Sequence, residues 1–361
     1  MSLTATASTA IGNLFSETPF HIILYITSVC NARCEYCYYA EELNKNIKYE
    51  LTDDEIVRVF EGVRKIPHLS ISGGEPFLRK NIDKILNRIT RVSQPRVVSI
   101  PTNCSTPERI WSTFDQLCRQ YPDTLFDLHI SLDGLGKVHD ELRKIDGLFE
   151  KVMETNVGAR ELLEKHANFG VKIVSVFSSF NQDRFEELLD HIEKEMAFNR
   201  LIVAWPHGTC SEQTKRGLSR QRFEGFVRRA EGMNRKRMSQ NTETQVAMSV
   251  KNTKEHYMRA KWNAEKNLGD YCNAGKKIVV IGETGKVFPC ESFWYEMGNL
   301  RDFNYDLPRL LREMYPAFHD KHIKPGCHCE WGCAQNVAIV TNPGLWPMVL
   351  KDWISNRVLD N

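Results

Sequence analysis

The sequence predicts an α/β protein: a partial, TIM-like (β/α)6 barrel followed by a small α+β domain. Three observations lead there. Short apolar runs rich in branched residues alternate with amphipathic stretches over six successive units, ending near residue 240. The runs are almost continuously apolar, the pattern of parallel strands covered on both faces. The loops of unusual composition all follow a strand, and barrels of this kind gather their chemistry at the C-terminal strand ends. A full eight-fold barrel takes about 250 residues, so six units with long loops make an incomplete one.

The elements follow in order. His21–Thr27 reads as a buried strand running into a cysteine-rich loop. Thr52 and Glu55 form a capping-box pair that opens a helix carrying Ile56, Val59, Phe60 and Val63 on one face. Ile66–Ser72 is a strand, Asn81–Val92 a helix, Arg96–Ile100 a strand and Pro107–Gln120 a helix. Phe126–Leu132, Val171–Phe177 and Arg200–Trp205 are further strands, separated by helices at Leu148–His166 and Arg184–Met196. Ser219–Met238 is a long basic helix, and its run from Arg228 to Arg237 reads as a solvated face or as a site for an acidic substrate or redox partner. Residues 239–270 turn polar, with helix expected at Thr253–Asn267. Two apolar runs then flank Gly282-Glu-Thr-Gly285, the signal of a β-hairpin, and Leu307–Tyr315 is a short helix. The expected organisation is an N-terminal extension at 1–19, the barrel at 20–240 and the smaller domain at 241–361.

With 361 residues and a net charge of +2, nothing in the charge points to nucleic acid or to a membrane surface. No apolar run approaches a membrane span. Residues 1–13 are small and polar and do not read as a signal peptide. A cytoplasmic location is expected. Eleven cysteines in such a chain suggest metal ligands before disulfides. Cys104, Cys118 and Cys210 stand apart and read as ordinary buried residues.

The clustered cysteines carry the chemistry. Cys30, Cys34 and Cys37 are spaced by three residues and then two. Thiolates usually supply all four outer ligands of a 4Fe–4S cluster, so three leave one iron open. A structural zinc site wants four closed ligands, and Tyr38 and Tyr39 supply no fourth; on spacing alone the zinc reading stays open. The spacing, with Tyr36 before the third cysteine, resembles the cluster loop of the radical SAM enzymes, in which S-adenosylmethionine (SAM) takes the open iron.

The resemblance extends from about Phe20 to Asn181. It implies that Gly73-Gly74-Glu75-Pro76 binds the amino group of SAM. Ser131-Leu-Asp133-Gly134, His139-Asp140, Arg143 and Gly147-Leu-Phe149 match a pattern of members that modify peptides or natural products. By that resemblance Ser131 and Arg143 hold SAM's carboxylate or ribose; alone, Arg143 reads as a surface ion pair. Asn103 stands where relatives place a polar contact within Thr-Asn-Gly, but the third residue here is Cys104. Val176 is an adenine contact by resemblance and plain core otherwise.

Cys272, Gly285 and Cys290, followed by Cys327, Cys329 and Cys333, resemble the SPASM or shortened Twitch domains that hold auxiliary clusters. Five cysteines are too few for two further 4Fe–4S clusters, so one auxiliary cluster is implied, with one thiol spare. Glu291 follows the hairpin cysteine. In SPASM dehydrogenases a carboxylate near the matching place acts as a base, and a buried carboxylate can take a substrate proton. Trp205, His207, Trp294, Tyr295 and Trp331 line a pocket or pack in the core.

The resemblance therefore implies an enzyme that cleaves SAM to a 5′-deoxyadenosyl radical and abstracts a substrate hydrogen atom. The auxiliary cluster implies a dehydrogenase-like oxidation or a rearrangement, and a flavodoxin or ferredoxin supplies electrons. With the first strand at Phe20, no leader-binding domain is expected, which favours a small-molecule natural-product precursor over a peptide. Peptide maturation, epimerisation and crosslinking stay open. The reading from another class is a non-enzymatic carrier with two clusters; a zinc scaffold is a third.

Overall fold

The computed structural model describes residues 16–206, 212–237, 271–323, 329 and 331–359. Cys210, His207, Cys327, the expected helix at Thr253–Asn267 and the expected boundary at 240 lie outside the described residues. Six parallel strands lie side by side in chain order: β1 (His21–Thr27), β2 (His68–Gly73), β3 (Val97–Thr102), β4 (Leu125–Ser131), β5 (Phe169–Val176) and β6 (Arg200–Ala204). They form the expected partial barrel sheet.

Helices α1 (Asp53–Glu61), α2 (Ile82–Ser93), α3 (Pro107–Gln120), α4 (Lys137–Arg143), α5 (Leu148–Lys165), α6 (Phe185–Glu195), α7 (Glu212–Lys215) and α8 (Arg220–Arg237) lie between or after these strands in the chain. The capping box of α1 forms as expected. Thr52 Oγ1 accepts from the Glu55 amide at 3.2 Å, and the Glu55 carboxylate accepts from the Thr52 amide at 2.8 Å. Arg229 of the basic helix α8 is not merely solvated: it pairs with Glu186, Asp190 and Glu193 of α6.

The hairpin strands β7 (Ile278–Ile281) and β8 (Lys286–Phe288) form, but not as a sheet of their own. β7 pairs parallel with the free edge of β1, from His21 opposite Ile278 to Leu24 opposite Ile281. β8 and β9 (Gly298–Asn299) continue antiparallel, so among the described residues nine strands make one sheet. An incomplete barrel leaves the β1 edge unpaired, and unpaired strand edges attract a partner. Helices α9 (Leu307–Phe318), α10 (Gly332–Thr341) and α11 (Trp346–Leu359) follow.

The two faces of the sheet differ. Ile22, Leu24, Ile26, Leu69, Ile71, Leu128, Ile130, Val171 and Ile173 face the helices and are sealed into the main core. Their neighbours on the other face of β5 and β6, among them Lys172, Val174, Val176, Arg200 and Ile202, are half-buried. The barrel lumen is therefore open, unlike the packed interior of a closed eight-stranded barrel.

Candidate functional site

The cysteine loop leaves the C-terminal end of β1. Glu50, which the sequence did not single out, fixes that exit. Its carboxylate accepts from the Ser28 amide at 2.7 Å and from the hydroxyls of Thr27 at 3.0 Å and Ser28 at 2.9 Å. The loop is pinned to the end of α4 through Arg33 N to Arg143 O (3.1 Å) and Glu35 N to Leu142 O (3.3 Å). Cys30, Cys34 and Cys37 are half-buried. Burial pushes the Cys30 thiol up to about 12 and the Cys37 thiol up to about 11, and each thiol feels its neighbours. Burial also raises Cys34, against the pull of Arg143.

The glycine pair is explained by close approach. A Cβ at Gly73 would sit 2.3 Å from the Thr27 carbonyl oxygen, and one at Gly74 would sit 2.3 Å from that of Val29. Gly73 also has φ +118°, in the region that favours glycine. The Gly74 and Glu75 amides bond to those same two carbonyls at 2.8 Å. The glycines thus let the second strand end run against the mouth of the cysteine loop. Glu75 turns inward, only 2 % exposed, and accepts from Thr102 Oγ1 (2.8 Å), Asn103 N (2.6 Å) and Phe77 N (3.1 Å). Burial raises its carboxyl against those donors. Asn103 Nδ2 donates to Asn31 Oδ1 at 2.8 Å, tying the third strand end to the loop. Cys104 adopts φ +66°, the conformation that glycine favours, and is fully buried. A cysteine thus holds a backbone position that glycine would take freely, with a side chain that enters the core. Cys118 is buried as expected.

Asp133 is the hub the sequence reading missed. It is fully buried and accepts from Tyr36 OH at 2.5 Å, Arg143 Nε at 2.9 Å, Arg143 Nη2 at 2.5 Å and Val176 N at 2.7 Å. Its own carbonyl accepts from Asn181 Nδ2 at 2.9 Å. The Arg143 partner is therefore a buried aspartate, not a surface acid. Burial opposes its charge, but Tyr36 and Asp133 outweigh that and raise its pKa. Its Nη1 group has no part in the Asp133 bonds and stays available to a ligand. Ser131 and Val176 lie half-buried on the lumen face.

Cys272, Cys290, Cys329 and Cys333 come to the same side of the sheet. One apolar cluster, built on Ile23, Tyr25, Ile278, Val280 and Trp331, is bordered by Cys30, Cys37, Cys272, Cys290, Cys329 and Cys333. At its centre Glu291 is 6 % exposed. It accepts from Tyr25 OH at 2.6 Å, Tyr38 OH at 3.1 Å and Trp331 Nε1 at 2.7 Å. Burial, together with Glu291, raises both tyrosine hydroxyls well above their usual range. Of the expected pocket aromatics, Trp205 packs on Phe177 and Phe223, and Tyr295 on Phe293, Phe318 and His322. Trp294 meets Tyr25, Tyr39 and Phe288 beside the cysteines.

Among the described residues no three His, Cys, Asp or Glu side chains gather as the sphere of a single metal ion. In an iron–sulfur cluster each thiolate takes a different iron. An all-thiol loop with half-buried sulfurs fits such a group.

Residues 24–192 match the model of the Radical SAM superfamily. The chain carries a radical SAM domain. GTP 3′,8-cyclase of Staphylococcus saprophyticus is 26% identical over 196 residues, covering 50% of this chain and 52% of that protein. Pre-heme d1 synthase of Dinoroseobacter shibae is 27% identical over 182 residues, covering 49% of this chain and 42% of that protein. The chain thus spans about half the length of the curated relatives it matches. In fold it is similar to Streptococcus suis SuiB bound to S-adenosylmethionine (TM-score 0.60, 16% identity, 94% of this chain and 78% of that one). It is also similar to anSMEcpe with bound AdoMet (TM-score 0.53, 15% identity, 94% of this chain and 98% of that one). No helix among the described residues is long and apolar enough to cross a membrane.

Proposed function

We propose that this radical SAM protein is an oxidoreductase acting on a small-molecule natural-product precursor. In this reading Cys30, Cys34 and Cys37 hold the SAM-binding 4Fe–4S cluster. Cys272, Cys290, Cys329 and Cys333, with Cys327 as a further thiol, hold an auxiliary one in a Twitch-like arrangement. When bound, these groups supply a hydrogen-abstracting 5′-deoxyadenosyl radical and an acceptor for the electron left on the substrate.

The chain's own part is the proton. A carbon radical becomes a strong reductant when the adjacent heteroatom loses its proton. Glu291 is the residue for that step, and its position is the observation that carries the proposal. It sits beside Cys290, bonded at once to Tyr25 on the lumen face, to Tyr38 next to Cys37, and to Trp331 between Cys329 and Cys333. A carboxylate offers about four acceptor sites; these donors orient it and leave one for a substrate proton. Gly73 to Pro76, Asn103, Ser131, Arg143 and Val176 surround the place proposed for SAM, and Tyr36 braces the cysteine loop from below. Electrons come from a flavodoxin- or ferredoxin-type protein. A peptide substrate is the competing reading; its motive is the fold shared with SuiB, also solved with the precursor peptide SuiA (TM-score 0.58).

The test is iron and sulfide content with EPR on anaerobically reconstituted protein, with and without SAM, alongside a Cys30/Cys34/Cys37→Ala variant. About eight irons falling to about four in the variant, with a SAM-perturbed signal in the parent alone, is the expected result. About four irons, all lost in the variant, would remove the auxiliary cluster. The absence of 5′-deoxyadenosine from reduced protein given SAM would leave the electron-carrier reading standing.

A further inference from the structure

The turn of the C-terminal hairpin borders a cavity that the proposed radical chemistry does not use. It has a volume of about 390 Å³ and lies between the hairpin and the chain just past Cys37. Tyr38, Tyr39, Phe288 and Trp294 supply its aromatic wall. Trp294 is the ring they share: Tyr39 stands 5.5 Å away, tilted by 36°, and Phe288 5.1 Å away at 79°. The rest of the wall is acidic. Glu41, Glu42, Glu283 and Glu296 line it against one ammonium, that of Lys286. Lys286 bonds to Glu296 at 2.9 Å on the exposed rim and feels Glu42 and Glu283 only at a distance. Glu283 is 6 % exposed, and among the described residues no cation bonds to it. Its Oε2 accepts from Tyr39 OH. Its Oε1 accepts no bond among the described residues and is not sealed from solvent. The turn holds this carboxylate in place: Leu51 N donates to the Glu283 carbonyl at 2.7 Å and Gly285 N to that of Gly282 at 3.0 Å. Burial raises the Glu283 carboxyl. A carboxylate so placed is costly unless a cation arrives.

We infer that this cavity binds a primary ammonium group, carried by a small amine or by a lysine side chain. The wall sets the chemistry. A hard metal ion wants six or more oxygen ligands, and among the described residues no three acidic, His or Cys side chains gather as one ion's sphere. Aromatic faces attract organic cations instead. A carboxylate among such rings adds a charge-assisted hydrogen bond, which an N–H-bearing cation fills and a quaternary one does not. Glu283 Oε1 takes that bond, and Trp294 with its neighbours covers the alkyl stem. Glu41 and Glu42 draw the charge in from the rim. A neutral ligand would leave Glu283 without a counter-charge. The volume suits a small organic group rather than a bare ion. Tyr38, in the wall, bonds to Glu291 at 3.1 Å, so the cavity lies one ring away from the proposed base. The inference does not rest on the radical reading, because the cavity holds its cation whether or not SAM is cleaved.

The experiment titrates anaerobically purified, cluster-loaded protein, with SAM present and no reductant, so that the place proposed for SAM's own amino group is filled. Calorimetry reads the binding of n-butylammonium chloride and, separately, of N-acetyl-lysine N-methylamide, against sodium chloride of matched ionic strength. n-Pentanol, of the same length without the charge, is the neutral control. The titrations are repeated on Glu283→Gln, which keeps an acceptor for Tyr39 and loses the charge, and on Trp294→Leu. The inference predicts saturable binding of at least one of the two cations, weakened roughly tenfold or more by Glu283→Gln and several-fold by Trp294→Leu. Tighter binding of the blocked lysine assigns a peptide side chain, and equal or tighter binding of butylammonium assigns a small amine. No saturable binding beyond the sodium control, pentanol bound as tightly as the amine, or an affinity untouched by Glu283→Gln would overturn it. If Glu283→Gln does not fold, Glu42→Gln on the exposed rim decides: binding should weaken roughly twofold or more, and an unchanged affinity would overturn the site. Release of 5′-deoxyadenosine by the reduced parent, measured in parallel, separates the two proposals. Release without amine binding sinks the cation site alone, and no release sinks the radical reading alone.

Discussion

Replacing Arg143 by Met should cost the ligand-free protein a large share of its stability. The perturbation is well defined. Asp133 is fully buried and takes both strong bonds from Arg143, at 2.9 and 2.5 Å. Hydrogen bonds to a charged group contribute about 1.5–3 kcal/mol each. Stripping one partner from a buried ion pair costs about 3–5 kcal/mol, because the other charge stays behind in a poor environment. Tyr36 OH and the Val176 amide still serve Asp133 in the variant, so the lower end, about 3 kcal/mol, applies. Native proteins of this kind hold only about 5–15 kcal/mol in all. The assay is urea unfolding followed by circular dichroism, comparing midpoints for the parent, Arg143→Met, Asp133→Asn and the double variant. The double variant should lose less than the two single losses added together, since it removes both charges. An Arg143→Met midpoint within about 1 kcal/mol of the parent, or strict additivity, would refute the brace. It would return Arg143 to a role on a ligand alone.

Three further outcomes follow from the same geometry. Glu291→Gln should keep the fold, because the amide oxygen still accepts from Trp331 while the two tyrosine hydroxyls rotate to accept from its NH2. It should lose roughly 10²- to 10⁴-fold in substrate oxidation, measured as product per 5′-deoxyadenosine released; unchanged coupling would reject the base. Gly74→Ala drives a methyl onto the Val29 carbonyl at 2.3 Å, so cluster loading and the urea midpoint should both fall; a variant that loads iron like the parent would show that the loop mouth can yield. Burial holds His68 and His129 down at about 3, against 6.5 when free. From pH 6.5 down to about 3 the unfolded chain therefore binds more protons than the folded one. Stability is whole above that window and falls as pH drops through it, by about 1.4 kcal/mol per pH unit for each histidine. His68→Asn should flatten the urea midpoint between pH 6 and 4, and an unaltered slope would count against the buried neutral ring.

What the sequence made legible was local. The capping box Thr52–Glu55 lies within four residues, and it forms. The cysteine spacing, the strand–helix alternation and the hairpin signal are equally short-range. Asp133 lies inside the Ser131–Gly134 motif, yet its importance comes from Tyr36, Arg143 and Val176 on three other segments, which no spacing rule connects. Glu50 had no signal at all: one acid among several before a helix. Gly332–Thr341 was not expected to be helical because, apart from the adjacent Gln335 and Asn336, its residues are small, apolar or β-branched and no polar face marks a period.

The pairing of β7 with β1 links these pieces. A closed eight-stranded barrel would have β1 covered on both edges; six strands leave one edge free, and the C-terminal hairpin takes it. The hairpin enters at Ile278 and leaves at Phe288, so Cys272 lies before it and Cys290 and Glu291 directly after. Parallel pairing with β1 means that β7 rises towards the same end of the sheet from which the cysteine loop emerges. The chain then has no long path to cover before Glu291 meets Tyr25 of β1 and Tyr38 of the loop. A separate sheet joined by a linker would leave that contact to the linker's freedom, at an entropic cost that grows with its length. Here the ladder of β1 sets the position of Glu291, and the register of one strand pair brings Cys30 and Cys37 together with Cys272, Cys290, Cys329 and Cys333 around a single apolar cluster.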